Sequence, residues 1–311
     1  MRVLVTGAAG FVASHIVDAL VRRGDDVTAV DNLASGDRRQ VPEAATFVAC
    51  DVRTTEFASL VETARPEAII HHAAQPQVGP SIRDPFHDLD VNVRGLLVLL
   101  TAASRAGVRQ IVYASSGGTV YGSAESLPIR EDARTLPESP YAITKLAGEH
   151  YVRYFGKAGG FASTILRYAN IYGPRDHVSS EHVITVFAER MLTGQPCVIQ
   201  WDGEQAKDYV YVSDIVRANL RAVDLRRDGT FNVGSGRPTS VNQIYRALEG
   251  IIGPQPPPAH APKRPGDVRE FYLDCARAGE YLQWQADVTL EAGLRETVAW
   301  YRDAIKGGPV P

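Results

Sequence analysis

A tyrosine and a lysine four positions apart are the residues of this sequence whose types and spacing point most directly to chemistry. Tyr141 and Lys145 enclose the run Ala-Ile-Thr, and residues four apart in a helix lie on one face. A lysine ammonium close to a phenol lowers the pKa of that phenol, which allows the tyrosine to act as a base near neutral pH. The pair therefore predicts a tyrosine base that is assisted by a lysine.

Two neighbouring features distinguish this pair from a chance spacing on a surface helix. Ser139-Pro140 comes directly before it, and the run Ser-Ser-Gly-Gly-Thr-Val-Tyr-Gly from Ser115 to Gly122 follows a predicted strand. With both features present, the spacing indicates a catalytic pair.

A glycine-rich loop near the start of the chain predicts a dinucleotide site. The run Thr-Gly-Ala-Ala-Gly-Phe-Val-Ala from Thr6 to Ala13 follows a predicted strand and opens a predicted helix. Backbone N–H groups and the positive end of the helix then converge on one point that suits a pyrophosphate. Gly7 allows a tight turn, Gly10 lets the phosphate approach the backbone, and Ala13 still permits close packing of helix on sheet.

An acidic residue further along the chain indicates which dinucleotide binds. Asp31 ends the second predicted strand, where a carboxylate accepts hydrogen bonds from both ribose hydroxyls and repels a 2′-phosphate. NAD is therefore favoured over NADP. Asn32, Ser35 and Gly36 follow as ribose or phosphate contacts. Asp51, after the third strand, either faces the adenine amino group or caps a helix.

The elements that must position these residues alternate in type through the first half of the chain. Short β-branched runs predict strands at Val3–Thr6, Asp26–Asp31, Thr46–Ala49, Ala68–His71, Gln110–Ser115 and Ala162–Tyr168. Apolar residues at helical spacing predict helices at Phe11–Arg23, Thr55–Ala64, Val91–Ala106 and Tyr141–Lys157. This alternation is typical of parallel βαβ units. Right-handed crossovers then give an α/β fold with a doubly wound parallel sheet, the Rossmann arrangement.

The pattern of predicted strands and helices changes after Gly173-Pro174. Turn signals become denser, and the proline-rich run from Gly253 to Pro258 predicts a stiff connecting loop. We therefore predict a NAD-binding Rossmann domain over residues 1–170. Residues 171–311 are predicted to form mainly a smaller α/β substrate-binding lobe, with some segments returning to the first sheet.

The composition excludes several classes of protein. With 44% hydrophobic and 22% charged residues among 311, the chain is neither disordered nor fibrous. A net charge of −3 and basic runs no longer than a pair give no support to a nucleic-acid partner. No apolar run approaches the roughly 20 residues that span a bilayer. Three scattered cysteines fit neither a disulfide framework nor a zinc site. We expect a soluble, cytoplasmic protein without a metal.

These motifs together resemble the extended short-chain dehydrogenase/reductase family and, within it, the UDP-glucose 4-epimerase-like branch. The resemblance covers nearly the whole chain. Its motifs are the glycine loop from Gly7, Asp31, His71-His72-Ala73-Ala74, Val91-Asn92, the run from Ser115, the Tyr141/Lys145 pair, residues 167–174, residues 208–212 and Asn232-Val233-Gly234.

The resemblance implies a reaction without net oxidation. Tyr141 would take the proton from the 4-hydroxyl of a nucleotide sugar while C4 delivers a hydride to tightly held NAD. The 4-keto sugar would then turn over and receive the hydride on its other face. UDP-glucose and UDP-galactose are the implied substrates. The resemblance also implies a homodimer, in which the helix from Val91 to Ala106 pairs with the Tyr141 helix of a second subunit unless it is wholly buried.

One motif departs from the family pattern where the proton is transferred. The family usually has a serine or threonine two residues after Ser115 to assist the tyrosine, and this sequence has Gly117 there. Ser116 or Thr119 is expected to supply the missing hydroxyl, with a water molecule as the alternative. Relatives that dehydrate or decarboxylate nucleotide sugars carry an acid in this run. Its absence favours epimerisation.

The resemblance implies two sets of binding residues besides the catalytic group of Tyr141, Lys145, Thr119, Ser116 and Ser115. Cofactor contacts are implied at Gly7, Gly10, Phe11, Val12, Asp31, Asn32, Ser35, Gly36, Asp51, Val52, His72, Ala73, Ala74, Gln75, Asn92, Ser115, Tyr141, Lys145 and Tyr168. Substrate contacts are implied at Ser81, Thr119, Tyr141, Asn170, Val183, Gln200, Trp201, Lys207, Arg264 and Asp267.

Several substrate positions depart from the family pattern. Lys207 stands where the family usually has an arginine that clamps the phosphates, and a lysine supplies the charge without the bidentate fork. Trp201 either packs on uracil or belongs to the core. Phe271 stands where bulk is associated in the family with excluding an N-acetyl group, which favours a hexose or hexuronate over an N-acetylhexosamine.

Two other functions remain open on the sequence. One is a different nucleotide-sugar enzyme, such as a UDP-glucuronate 4-epimerase, a dehydratase, a decarboxylase or a reductase. The other is an NAD-binding sensor that has lost catalysis. Gly117 supports the sensor, and the intact Tyr141/Lys145 pair argues against it.

Overall fold

The strands of this protein, in a computed structural model that describes residues 1–263 and 268–306, form one large and two small sheets. In chain order they are β1 (Arg2–Thr6), β2 (Asp26–Asp31), β3 (Thr46–Ala49), β4 (Ala68–His71), β5 (Gln110–Ser116), β6 (Ala162–Tyr168), β7 (Asn170–Tyr172), β8 (Val198–Gln200), β9 (Ala206–Tyr211), β10 (Gly229–Val233), β11 (Pro238–Ser240), β12 (Ala259–Ala261) and β13 (Glu270–Phe271). The six predicted strands are all present, and their bounds differ by one residue at most.

The helices connect these strands. They are α1 (Phe11–Arg22), α2 (Thr55–Ala64), α3 (Val78–Arg83), α4 (Pro85–Leu89), α5 (Gly95–Ala106), α6 (Gly117–Val120), α7 (Pro140–Gly159), α8 (Val183–Leu192), α9 (Val212–Leu225), α10 (Val241–Ile252), α11 (Ala276–Leu282) and α12 (Leu290–Lys306). The helix predicted from Val91 instead begins with a π-helical turn at Asp90–Arg94. None of the described helices is both long and apolar enough to cross a membrane.

The large sheet is parallel and has the strand order β10-β6-β5-β4-β1-β2-β3. The strand order reverses between β1 and β4, which are hydrogen-bonded neighbours. Such a reversal leaves a crevice at the carboxyl ends of the strands, where ligands of open α/β sheets bind. The predicted doubly wound α/β fold is therefore confirmed, and its switch point lies directly after Thr6 and His71.

Alternating side chains of each strand bury the two faces of this sheet under different helices. On β1, Val3 and Val5 join a core cluster with residues of α1 and α9, such as Ile16 and Ile215. Leu4 between them joins the opposite cluster with residues of α2 and α5. Two buried faces explain why the strands read as continuous apolar runs.

The second half of the chain forms a smaller lobe around β9. This strand pairs with β7, β11 and β13, while β8 pairs with β12. A separate core cluster lies between α8, α10 and α12, with Phe187, Leu248 and Val298 among its members. β10 pairs with β6 in the large sheet, so the chain returns to the first sheet before it completes the lobe.

A side-chain cap and a proline start helix α7, and a glycine lets it pack closely on the sheet. Ser139 caps it by accepting a hydrogen bond from the N–H of Ala142, and Pro140 occupies the first turn, where a missing N–H costs nothing. Gly148 lies against β5, where a Cβ would come within 2.2 Å of the hydroxyl of Tyr113. The glycine therefore lets the helix approach the strand closely.

We expect Gly148→Ala to separate α7 from β5 and to lower the free energy of unfolding by about 2 kcal/mol, as overpacking of a buried contact does. Gly250→Ala is the matched control, because a Cβ there has no neighbour within 4 Å and alanine stabilises a helix by about 1 kcal/mol relative to glycine. Urea unfolding of both variants measures the difference. Equal stabilities of the two variants would contradict the close approach at Gly148.

Candidate active site

Helix α7 carries the predicted base and its lysine above strand β5. Lys145 Nζ donates a hydrogen bond to the carbonyl oxygen of Ala114 over 3.0 Å. The same nitrogen lies 5.3 Å from the ring centroid of Tyr113 and 5.9 Å from that of Tyr141. Both members of the pair are buried, so water screens their electrostatic interactions only weakly.

Burial changes the protonation of both groups. It lowers the pKa of Lys145 to about 8 and raises the pKa of Tyr141 to about 12, because each charged form loses hydration. A hydrogen bond with Ser116 lowers the pKa of Tyr141, and the carboxyl group of Asp88 raises both values. The phenol consequently needs further positive charge nearby before it ionises at neutral pH.

Of the three candidate hydroxyls near the tyrosine, Ser116 is the one that contacts it. The Ser116 side chain at the end of β5 is hydrogen-bonded to Tyr141. The hydroxyl of Thr119 is buried without a hydrogen-bond partner among the described residues. Ser115, predicted as catalytic and cofactor-binding, donates to Glu149 over 2.7 Å.

Leu273 explains the glycine at position 117. A Cβ on Gly117 would lie 2.8 Å from Leu273 Cδ1 and 3.1 Å from the carbonyl oxygen of Arg167. Leu273 is fully buried, and its N–H donates to Asp208. The space that a serine or threonine side chain needs is therefore filled by the core.

A buried ion cluster fixes α7 one turn beyond the lysine. Glu149 accepts hydrogen bonds of 2.8 and 2.7 Å from Arg167 on β6. Arg167 also donates to the hydroxyl of Tyr121 over 2.8 Å. Charges buried in this way require well-formed hydrogen bonds, because desolvation is costly. The cluster therefore ties the catalytic helix to two strands of the sheet.

The glycine-rich loop forms a cradle into which a phosphate fits. A Cβ on Gly7 would lie 2.7 Å from the backbone nitrogen of Ala73, and Gly7 has a φ of 68°, which side chains disfavour. Helix α1 begins at Phe11 with Gly10 as its N-cap, and no side chain caps it. The positive end of the helix is thus left for an anion. The loop fits a dinucleotide pyrophosphate.

Asp31 connects this loop to the end of β2. Its carboxylate accepts hydrogen bonds from the N–H groups of Ala9 and Leu33 at 2.9 and 2.7 Å. Each oxygen keeps a second lone pair, so both can also accept from ribose hydroxyls. A Cβ on Gly36 would lie 2.8 Å from that of Ala9, so this glycine allows the next loop to close on the cradle.

Asp51 does not cap helix α2. The N-cap is Thr54, whose side chain accepts from the N–H of Phe57, so the helix-cap interpretation is wrong. Asp51 pairs with Arg53 at 2.7 Å and accepts from the amide of Asn32 at 2.9 Å. The Arg53 guanidinium holds the pKa of Asp51 well below its usual range. The carboxylate lies beside the exposed Asn32 loop that follows β2.

Other predicted cofactor residues lie around the carboxyl ends of β4 and β6. His72 stacks on Tyr168 with ring centroids 5.7 Å apart. The N–H of Gln75 donates to Asn92 Oδ1 over 2.8 Å. The remaining positions are Phe11 and Val12 at the start of α1, the exposed Ser35 after β2, Val52 before α2, and Ala73 and Ala74 after β4.

Asn170, a predicted substrate residue, lies near the run from Ser115 to Gly122. Its amide donates to the carbonyl oxygen of Asp208 over 3.1 Å. Its Oδ1 would lie 4.0 Å from a Cβ on Gly118. Lys207 lies on β9, in register with Phe271 of β13. The inner edge of the second lobe therefore faces the tyrosine side of the first.

Trp201 is not a core residue. Its half-buried ring lies 4.3 Å from Lys263 Nζ and 4.9 Å from the guanidinium carbon of Arg269, within cation–π range of both. Gln200 ends β8 next to it, and Val183 begins α8. The predicted contacts at Arg264 and Asp267 lie outside the described residues.

Ser81, a predicted substrate residue, lies next to the first turn of α7. The residue is fully buried. Its hydroxyl donates to the carbonyl oxygen of Val78 over 2.7 Å and accepts from the N–H of Tyr141 over 3.2 Å. Ser81 therefore holds the first turn of α7 in place.

Sequence reasoning missed three residues that shape this site. Leu273 fills the space at position 117. Asp88 and Thr144 are buried and hydrogen-bonded to each other beside the catalytic pair. Thr144 precedes Lys145, and Asp88 lies four residues before Asn92. Only this proximity to motif residues in the sequence could have indicated that Asp88 and Thr144 belong to the site.

The glycine loop and the tyrosine helix meet at one switch point of a parallel sheet, so the fold and the site define a dinucleotide-dependent enzyme with a tyrosine base. Residues 3–234 match the model of the NAD-dependent epimerase/dehydratase family. The chain belongs to this family. The predicted family and its cofactor, NAD, are confirmed.

Similarity to individual proteins extends over the whole chain. The UDP-glucose 4-epimerase of Mycolicibacterium smegmatis is 40% identical over 310 residues, which cover 97% of this chain and 99% of that protein. The crystal structure of the UDP-glucose 4-epimerase from Thermotoga maritima with UDP-glucose matches with a TM-score of 0.96 and 41% identity, covering 98% of this chain and 100% of that one. The Thermus thermophilus UDP-glucose 4-epimerase in complex with NAD has a TM-score of 0.90 at 38% identity and the same coverage.

We expect Gly117→Ser to lower the free energy of unfolding by about 1–3 kcal/mol without raising kcat, because the new side chain meets Leu273. Leu273→Ala opens the space and costs about 2–5 kcal/mol by itself. The double variant should therefore be more stable than the sum of the two changes predicts, by about 1 kcal/mol. Urea unfolding of the four proteins measures this coupling, and strict additivity would contradict the proposed clash.

Proposed function

We propose that this protein is an NAD-dependent epimerase that inverts C4 of a nucleotide sugar and interconverts UDP-glucose and UDP-galactose. The observation that carries the proposal is the buried Tyr141/Lys145 pair on α7, whose lysine donates to the Ala114 carbonyl of β5. The three similar proteins named above are all UDP-glucose 4-epimerases. Their similarity over the full length supports the same reaction here.

Tyr141 moves the proton in this mechanism. Its phenolate takes the proton of the sugar 4-hydroxyl, and the phenol that results returns the proton when the alcohol forms again. Lys145 is held by the carbonyl of Ala114 and supplies the positive charge that stabilises the phenolate. NAD, held by the Gly7–Gly10 loop and Asp31, supplies the hydride acceptor and donor when bound. The product configuration then depends on which face of the 4-keto sugar is presented.

The run after Ser116 supports epimerisation over elimination. Gly117, Gly118 and Thr119 carry no carboxyl group, whereas elimination of water from a keto sugar needs an additional acid and base. Leu273 also fills the space beside Gly117. The 4-keto sugar therefore has no carboxyl group in this run that would catalyse elimination.

The two parts of the chain have separate tasks in this proposal. Residues 1–170 bind NAD, and residues 171–311 mainly bind the nucleotide sugar, although β10 lies in the first sheet. Lys207 supplies a single positive charge for the diphosphate, and the Thr119 hydroxyl contacts the sugar. The other proposed sugar-nucleotide contacts are Asn170, Val183, Gln200, Trp201, Arg264 and Asp267.

We expect the protein purified without added cofactor to release NAD on denaturation and to interconvert UDP-glucose and UDP-galactose, followed by NMR. Tyr141→Phe should keep its NAD, and its kcat should be lower by about 10²–10⁴-fold, which is the usual contribution of a general base. Tyr281→Phe, an exposed tyrosine on α11, is the matched control. Undiminished turnover of Tyr141→Phe would refute the base role. Release of water or carbon dioxide from the sugar would instead identify a dehydratase or decarboxylase.

We further propose that two copies of this chain form a dimer through α4 and α7. Large apolar side chains are exposed on the outer faces of these helices, including Phe86 at 84%, Leu89, Ile143 and Tyr154. Large exposed apolar side chains on two helices that pack together favour an interaction site. Helix α5 is not wholly buried, since Leu97 is half-buried.

Phe86→Asp should convert the dimer to a monomer, because a carboxylate at the centre of an apolar interface loses its hydration without a partner. Sedimentation equilibrium measures the mass of the wild type and the variant. Tyr281→Asp, which places the same charge at an exposed aromatic residue outside these helices, should leave the dimer intact. A monomeric wild type would contradict the proposal.

A further inference from the structure

A carboxylate that no part of the mechanism uses lies buried beside the catalytic pair. Asp88 on α4 has no exposed surface. Its Oδ1 accepts hydrogen bonds from Gln75 Nε2 and Asn92 Nδ2 at 2.9 and 3.0 Å, and its Oδ2 accepts from Thr144 Oγ1 at 2.7 Å. Both oxygens therefore act as acceptors.

The direction of these hydrogen bonds is fixed by the backbone. Gln75 Oε1 accepts from the N–H of Gln77, and Asn92 Oδ1 accepts from the N–H of Gln75. Because the oxygen end of each amide is thereby occupied, the nitrogen end faces Asp88. The three donors are neutral groups, so no cation among the described residues is hydrogen-bonded to the carboxylate.

The charge of Asp88 acts on a small set of groups around it. Titratable groups that respond to it are Tyr141 and Lys145 on α7 and Tyr113 on β5. On the far side of the lysine, burial lowers the pKa of His71 to about 3 and of His72 to about 4, so both are neutral at pH 7. Glu149, below Tyr113, is paired with Arg167.

We propose that Asp88 is a positioning residue for the catalytic pair, whose buried negative charge keeps Lys145 an ammonium while its hydrogen bond to Thr144 fixes the turn of α7 that carries both groups. Only the expected effect on kcat rests on the proposed function. Thr144 links the two effects, because it lies between Tyr141 and Lys145 in the chain and its Oγ1 lies 3.0 Å from the Tyr141 carbonyl oxygen.

Asp88→Asn separates the charge from the hydrogen bonds. The amide oxygen can still accept from Gln75 and Asn92, and the amide nitrogen can donate to Thr144 Oγ1, whose own proton then goes to the carbonyl of Tyr141. The variant has nearly the same shape as the wild type. A change that follows this substitution therefore reports the charge.

Lysine NMR tests the charge without any need for turnover. The chain has five lysines, so ¹³Cε-labelled lysine gives a simple spectrum, and Lys145→Met assigns the resonance of Lys145. In the wild type the pKa of Lys145 is lowered to about 8 by burial. Asp88→Asn should lower it by about one further unit, since a nearby negative charge favours the ammonium. An unchanged or raised value would overturn the proposal.

Two control variants separate charge from structure. Asp84→Asn removes the same charge from the exposed N-cap of the same helix and should leave the pKa of Lys145 unchanged. Thr144→Val removes the hydrogen bond but keeps the charge, so it should lower kcat while the Lys145 pKa stays within a few tenths. If Thr144→Val shifts the pKa as much as Asp88→Asn does, displacement of the helix is the cause and the proposal fails.

The epimerase assay supplies the second readout. In Asp88→Asn the pH profile of kcat should move to lower pH on both limbs, because the pKa values of Tyr141 and Lys145 both fall when the negative charge is removed. A uniform loss of kcat without movement of the profile would indicate a merely structural role. Absence of epimerase activity in the wild type would refute the proposed function and leave the NMR result intact as a test of the charge.

Discussion

Lys145 donates a hydrogen bond to the carbonyl of Ala114 in the buried interior of the protein. An ammonium is stable there only when protein groups replace the interactions that water would make with it. That carbonyl belongs to β5, so helix and strand must approach closely. Gly148 permits the approach at the hydroxyl of Tyr113. Glu149, the next residue, is paired with Arg167 on β6 and holds the helix close to the sheet. Much of the architecture around α7 follows from keeping this one cation buried.

The dinucleotide cradle and the catalytic helix are joined by a continuous set of contacts at the switch point. The glycine loop touches the loop after β4, where the N–H of Ala73 donates to Thr6 Oγ1. Two residues further, Gln75 hydrogen-bonds Asn92, which in turn donates to Thr144 on α7. Because these contacts run through backbone and buried amides, the cofactor site and the base are held in one rigid frame.

Local patterns in the sequence were enough to predict the parts of this frame that depend on neighbouring residues. Strand and helix bounds in the first half follow from β-branched runs and helical periodicity, and the side-by-side placement of Tyr141 and Lys145 follows from their spacing. Contacts between distant segments could not be predicted. Leu273 fills the space at Gly117 from 156 positions away, and Asp88 reaches Thr144 across 56. The full burial of Ser81 and the half-buried position of Trp201 could not be predicted for the same reason, since burial depends on which segments fold against a residue.

Helix α4 shows how assembly and chemistry can share one element. With five residues it is too short to be stable by itself, so contacts on its two faces must hold it. Its inner face carries Asp88, tied to α7 through Thr144, and its outer face carries Phe86, almost wholly exposed in the single chain. A second copy seated on Phe86 would hold from outside the same turn that places a negative charge beside Lys145.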